Sequence, residues 1–246
     1  MIQLGIAIPA FGLKLDIGHA PMWLGLGAAL ASAPDKFRLA FFNSYHINGI
    51  DLARNTILYD ALQAGCDWVL MLDADTFHAT GGDGNSDAIA DAGVDLLQMI
   101  RDVDRGQYAV DGQLVDLALP PGTQGVGLVG APVRGRGVGR GGFCVQGLSA
   151  EGLPAGELAE AALLGRVQPV ARIGGACIAV NCGWLRAHWP QAPWFEMQHA
   201  YGAGRPFNGR GEDYAICDGI YRRGGAVICD GRFVPAHVDR RKLVGE

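Results

Sequence analysis

The sequence contains no C-x-x-C pair. Its six cysteines, Cys66, Cys144, Cys177, Cys182, Cys217 and Cys229, are dispersed, which argues against a zinc knuckle and against a disulfide framework and leaves small buried thiols as the expectation. A long hydrophobic run is also missing. Hydrophobic residues make up 49% of the chain, yet the longest apolar stretch near the N-terminus, 21–33, is too short to span a bilayer, and no charged segment with a cleavage site precedes it. The expectation is a cytoplasmic protein with no membrane span. Positive charge is scarce as well, with 20 Lys and Arg against 25 Asp and Glu and a formal net charge of −5, which argues against a general polyanion binder. No internal repeat is visible. The 246 residues suffice for one large α/β domain or two fused halves with a substantial core, and the 38 glycines announce many loops.

What the chain does contain is an alternation of strand-like and helix-like segments. Residues 2–8 run apolar and break at Pro9, Ala10, Phe11 and Gly12, so they predict a first strand opening into a loop. A helix is expected over 21–30 and a second strand over 37–42. Ile50, Ala53, Ile57, Leu58 and Ala61 then fall at helical spacing before Gly65, which suits the residue just past a helix end. The run Trp68-Val69-Leu70-Met71-Leu72 reads as a buried central strand. This β-α-β-α-β order predicts parallel strands whose carboxyl ends form a ligand crevice, with Pro9, Asn43 and Asp73 along it.

The strand ends in Asp73-Ala74-Asp75-Thr76. Two acids at i and i+2 point to the same side, and carboxylate oxygens suit a hard divalent cation, Mg²⁺ or Mn²⁺ rather than Zn²⁺, that shares ligands with phosphate. A substrate carrying a diphosphate follows. Farther along, a Gly/Asp-rich loop over 79–86 precedes an amphipathic helix over 88–103. A hairpin turning at Asp111-Gly112 comes next, then a strand over 126–133. The segment 134–142 alternates Arg and Gly; Arg134, Arg136 and Arg140 either grip phosphates or form a solvated loop. A short helix is expected over 157–164, two strand pieces over 167–180 broken at Gly174-Gly175, helices over 184–188 and 212–223, and a final strand from 226 to 229. Gly125 to Gly130 fits G-x-G-x-x-G literally, but Ala131-Pro132 follows instead of a helix, so no dinucleotide site is expected there.

Several blocks together resemble the GT-A superfamily of nucleotide-sugar-dependent glycosyltransferases, in particular small stand-alone members similar to family 2. They are Ile6-Ala7-Ile8-Pro9, Ala53-Arg54-Asn55, the D-x-D motif Asp73-Ala74-Asp75, Gly174-Gly175-Ala176-Cys177-Ile178-Ala179-Val180, Pro193-Trp194-Phe195, Gly211-Glu212-Asp213 and the late His237. The resemblance spans nearly the whole chain. It implies an α/β fold of GT-A (Rossmann-like) type, a mixed, mostly parallel central sheet flanked by helices, with a donor half over 1–133 and an acceptor half over 134–246 of one domain.

The resemblance also implies roles. Asp73, Asp75 and His237 would hold Mn²⁺ or Mg²⁺, and Pro9, Ala10, Asn43, Arg54, Asp73 and Gly175 would meet a nucleotide-sugar donor, taken as UDP-linked. Asp213 would be the general base of an inverting transfer, with Glu212 orienting its neighbours. A carboxylate in a helix's first turn is favoured by the macrodipole. Trp194 and Phe195 would offer flat faces to an acceptor, which could be a glycan, a protein, a small metabolite or a hydroxymethylated DNA base. Bland roles stand beside these: helix-end acids for Glu212 and Asp213, core plugs for Trp194 and Phe195, a surface position for His237 and an ordinary helix-face position for Arg54. Two other functions compete. A metal-dependent phosphohydrolase or phosphotransferase of the haloacid-dehalogenase kind is disfavoured because Phe77 stands where that pattern needs Thr or Val, and a non-catalytic sugar-nucleotide binder is disfavoured because Asp75, Asp213 and His237 are all present.

Overall fold

A computed structural model describes residues 1–9, 26–28, 30–32, 36–43, 49–73, 76–78, 86–133, 143–150, 152–197 and 211–237. Its centre is a seven-stranded sheet. Strand β1 (Ile2–Ile8) lies between β2 (Phe37–Asn43) and β3 (Trp68–Leu72), all three parallel, with helix α1 (Ile50–Gln63) crossing from β2 to β3. Beyond β3 come β12 (Cys177–Asn181), antiparallel to both its neighbours, then β7 (Val126–Gly130), β13 (Ala226–Asp230) parallel to β7, and β10 (Val167–Pro169) at the far edge. β1, β2, β3, β7 and β13 therefore point one way, and the mixed, mostly parallel α/β sheet expected from the sequence is present.

Every residue of β3 is buried, as a central strand covered on both faces requires. Alternate residues feed two cores. Trp68, Leu70 and Leu72 pack with Leu96, Met99 and Ile100 of α2 (Ser86–Arg105) and with Leu26 and Leu30 from the helical residues near the N-terminus. Val69 and Met71 face the other side, against Ile57, Leu58 and Ala61 of α1, Leu185 of α4 (Cys182–His188) and Ile216 and Ile220 of α5 (Glu212–Arg222). Helices on both faces of one sheet give three layers. Arg232 ties two of them by reaching Asp102 of α2 at 2.8 Å and Asp230 of β13 at 2.6 Å, and burial raises the pKa of Asp230.

Local chemistry explains the element ends. Gly65 takes φ 74° after α1, its N–H bonds Leu62 O at 3.2 Å, and the Cys66 N–H bonds Ala61 O at 3.0 Å, the paired bonds of a Schellman stop. β5 (Gln107–Val110) and β6 (Gln113–Asp116) form the expected hairpin, with φ 51° at Asp111 and 77° at Gly112, which matches a type I′ turn.

The structure departs from expectation over 157–164. Pro154–Glu157 forms strand β9 against β8 (Val145–Leu148), which also pairs with β11 (Arg172–Ile173). Only Glu160–Leu163 is helical, as α3. Pairing of Glu157 with Gln146 and the bond from Leu158 N–H to Val145 O at 2.9 Å hold the chain extended where composition favoured a helix. One further pairing was not expected: β4 (Thr76–His78) lies antiparallel to β14 (Pro235–His237). Of the sequence expectations, Ala10, Asp75, the rest of the helix over 21–30 and the loops over 79–85 and 134–142 lie outside the described residues, as do the side chains of Asn43 and His237.

Candidate functional site

The parallel strands set up the site. Ile8 pairs with Asn43 and Ala7 with Met71, so the backbone of Pro9, Asn43 and Asp73 emerges along one edge of the sheet. β12 enters from that edge. Its first residue, Cys177, pairs with Leu72, and the Asp73 N–H donates to Ala176 O at 2.9 Å, which lays Gly174 and Gly175 beside the acid.

Arg54 joins these parts. It occupies the core-facing stripe of α1 together with Ala53, Ile57, Leu58 and Ala61, and only 2% of it is exposed. A charge in such a place requires partners, and among the described residues the guanidinium has three. Nη2 donates to Asp73 Oδ1 at 2.7 Å and to Gly175 O at 3.0 Å, and Nη1 donates to Glu212 Oε1 at 2.7 Å. The Phe195 ring lies 5.6 Å from Cζ. Burial alone would lower the Arg54 pKa, but Asp73 and Glu212 outweigh it and the net direction is upward. For Glu212, burial is the larger effect and raises the carboxyl pKa against the opposing pull of Arg54. Arg54 therefore meets protein acceptors in this structure, where the sequence motif implied the nucleotide.

Glu212 and Asp213 open α5. Asp213 Oδ2 accepts the Gly175 N–H at 3.1 Å and Oδ1 accepts the Tyr214 N–H at 2.8 Å. Gly175 thus bridges two functional candidates, its carbonyl to Arg54 and its N–H to Asp213. The glycine is needed for this. A Cβ built there would stand 2.8 Å from Arg54 Cζ.

Trp194 and Phe195, expected to face an acceptor, are each 1% exposed. Asn55, next to Arg54, holds them. Its Oδ1 accepts the N–H groups of Trp194 at 2.8 Å and Phe195 at 3.1 Å, and its Nδ2 donates to Phe195 O at 2.6 Å. Asn55→Ala leaves three backbone groups without their partner and is expected to cost about 1–3 kcal/mol, read as a lower urea midpoint at unchanged slope. Behind this wall lies a cavity of about 570 Å³ bordered by Trp189, Trp194, Ala215 and Arg223. Its arginines are engaged locally: Arg223 bonds Gly219 O at 3.1 Å and stacks 4.1 Å from the Trp189 ring.

The D-x-D segment continues into β4, and β14 pairs His237 with Thr76. The far part of the chain thereby runs beside the residue that follows Asp75. Among the described residues, no three His, Cys, Asp or Glu side chains gather closely enough to hold a metal; the set formed by Asp73, Asp75 and His237 reaches beyond those residues. By chemistry that set, two carboxylates and an imidazole, fits a Mn²⁺-like or Mg²⁺-like ion. Among the described residues, Asp73, Glu212 and Asp213 all act electrostatically on Arg54.

The sequence named Ala53-Arg54-Asn55 as a motif but gave Asn55 no task and gave Arg54 a different one. A signal was available: a charged residue inside an apolar stripe at helical spacing is buried, and buried arginine is paired.

No family model matches the chain, and no curated protein matches it in sequence. Among solved structures it is similar to A197 from STIV, with TM-score 0.51 and 12% identity over 96% of this chain and 85% of that one. It is also similar to a mutant of Drosophila β-1,4-galactosyltransferase 7 in complex with manganese, UDP-Gal and xylobiose, with TM-score 0.41 and 10% identity over 100% and 74%. A third, mannose-1-phosphate geranyltransferase from Thermus thermophilus, gives TM-score 0.34 and 14% identity over 95% and 75%. The likeness to A197 is one of fold. No helix among the described residues is long and apolar enough to cross a membrane.

Proposed function

We propose that the chain is a metal-dependent glycosyltransferase that moves a sugar from a UDP-linked donor to an acceptor hydroxyl with inversion, residues 1–133 forming the donor half and 134–246 the acceptor half of one domain. The observation that carries this is the buried Arg54, which at the carboxyl edge of the sheet holds the first acid of the D-x-D motif and Glu212 on one cation, with Asp213 joined to it through Gly175. Ligands of open α/β sheets bind at that edge.

Asp73, Asp75 and His237 would hold Mn²⁺ or Mg²⁺, which supplies charge neutralisation for the departing diphosphate. The backbone of Pro9 and Asn43 follows strand ends at the same edge, and these two with Ala10 would meet the nucleotide. Asp213 takes the proton of the acceptor hydroxyl as that oxygen attacks the anomeric carbon. Each of its oxygens accepts one backbone N–H and keeps a second lone pair for the task. The two N–H groups fix the carboxylate's orientation, and Glu212, held by Arg54, lies beside it. Trp194 and Phe195 act from behind, as the wall against which this polar cluster packs.

The test is thermal unfolding with UDP and Mn²⁺. Together, at 100 times their dissociation constant, they stabilise by about 2.7 kcal/mol, a rise in Tm of roughly 5–10 °C for a chain of this size. Neither alone matches that, and Asp75→Ala abolishes the rise. A transferase then releases UDP from a UDP-sugar, whereas a phosphohydrolase releases inorganic phosphate. Absence of metal-dependent stabilisation across a panel of sugar nucleotides overturns the proposal.

A further inference from the structure

We infer that Arg54 is a positioning residue that links the donor side of the site to the proton-accepting side and touches neither substrate. This rests on the glycosyl-transfer reading above and gives Arg54 a role other than the nucleotide contact implied by its motif.

The linkage is continuous. Asp73 bonds Arg54 at 2.7 Å, Arg54 bonds the Gly175 carbonyl at 3.0 Å, and the N–H of Gly175 bonds Asp213 at 3.1 Å. A second arm runs from Arg54 to Glu212 at 2.7 Å, which adjoins Asp213 in sequence. Two acids from distant parts of the sequence thus share one rigid, planar donor group. Lysine cannot reproduce this, because a single ammonium lacks the fork that reaches separate acceptors in fixed directions.

The guanidinium is also committed to this pose. It is 2% exposed, stands over the Phe195 ring and rests against a residue without a side chain. Its buried Nε has no hydrogen-bond partner among the described residues. A buried N–H left unpaired is costly, so the orientation is one that serves the acids at the expense of that donor.

Two measurements test this. The first uses the protein without ligand and compares Tm for Asp73→Asn, Glu212→Gln and the double variant. With either acid in place the buried cation keeps a counter-charge, and with neither it is stranded. The double variant is thus expected to fall below the sum of the single losses by about 2–8 °C, and additivity within about 1 °C overturns the linkage. The second uses Arg54→Lys. The positioning role predicts that the Kd for UDP with Mn²⁺ stays within threefold while kcat at saturating donor drops by about 10–100-fold, the usual effect of removing an orienting partner. A tenfold or larger rise in that Kd with kcat retained makes Arg54 a donor contact and overturns the inference. Should UDP and Mn²⁺ fail to bind even the unaltered protein, the glycosyl-transfer reading falls, and the Tm comparison still decides whether Arg54 couples the two acids.

Discussion

Changing Asp213 to asparagine is expected to lower kcat for sugar transfer by about 10²–10⁴-fold, the range a positioned general base contributes, with donor affinity nearly unchanged. Asparagine matches aspartate in shape, but its single amide oxygen can accept only one of the two N–H groups, of Gly175 and Tyr214, that Asp213 Oδ2 and Oδ1 accept at 3.1 and 2.8 Å, so stability falls as well, by about 1–3 kcal/mol. The larger loss is the capacity to take a proton. UDP release at saturating donor and acceptor gives kcat, and the thermal shift with UDP and Mn²⁺ gives donor binding. Loss of the first with retention of the second is the signature of a base. A variant that retained the full rate would move the proton acceptor elsewhere.

Gly175→Ala should destabilise the fold by about 3 kcal/mol, close to the cost of breaking a buried ion pair, and abolish transfer as well. The direction is informative. Gly175 is not among the glycines with positive φ, so alanine meets no backbone strain, and at such a position it ordinarily stabilises by about 0.4–1 kcal/mol through the unfolded state. Here the added methyl would stand 2.8 Å from Arg54 Cζ. A long side chain in open solvent would move aside at little cost. Arg54 cannot do so without surrendering Asp73 and Glu212, because the acids and the Phe195 ring fix it on its other sides. Gly156→Ala is the control: among the described residues nothing lies within 4 Å of its Cβ position, and its Tm should stay level or rise slightly. Urea unfolding of the two variants side by side measures the difference, and equal stability would mean that the Arg54 cluster is pliable.

Much of the sheet was legible because burial writes itself into apolar runs. The segment from Trp68 to Leu72 is continuous and bounded by Gly65 and Asp73, and it is the central strand β3. α1 showed its stripe, and Asp111-Gly112 its turn. The small sheets were not legible. β4 and β14 are each three residues long and pair across a gap of more than 150 positions, too short for periodicity to register. β9 contains Pro and Gly and is exposed throughout, so nothing in it alternates. At the site, the blocks named residues that the fold brings together but not their wiring. That Arg54 would meet Glu212, 158 residues away, is a consequence of where β12 and α5 fall around the sheet, which residue type alone does not encode.

One feature of that sheet bears on how the molecule can be cut. β12, from residues 177–181, is inserted between β3 and β7, whose residues all precede 131. A polypeptide ending near 133 would own both flanking strands yet have nothing to bridge them, exposing a row of unsatisfied amides and carbonyls on each. Severed pieces are therefore poor candidates for separate production, and a ribosome-bound chain has to extend well past its midpoint before its earlier strands can close ranks.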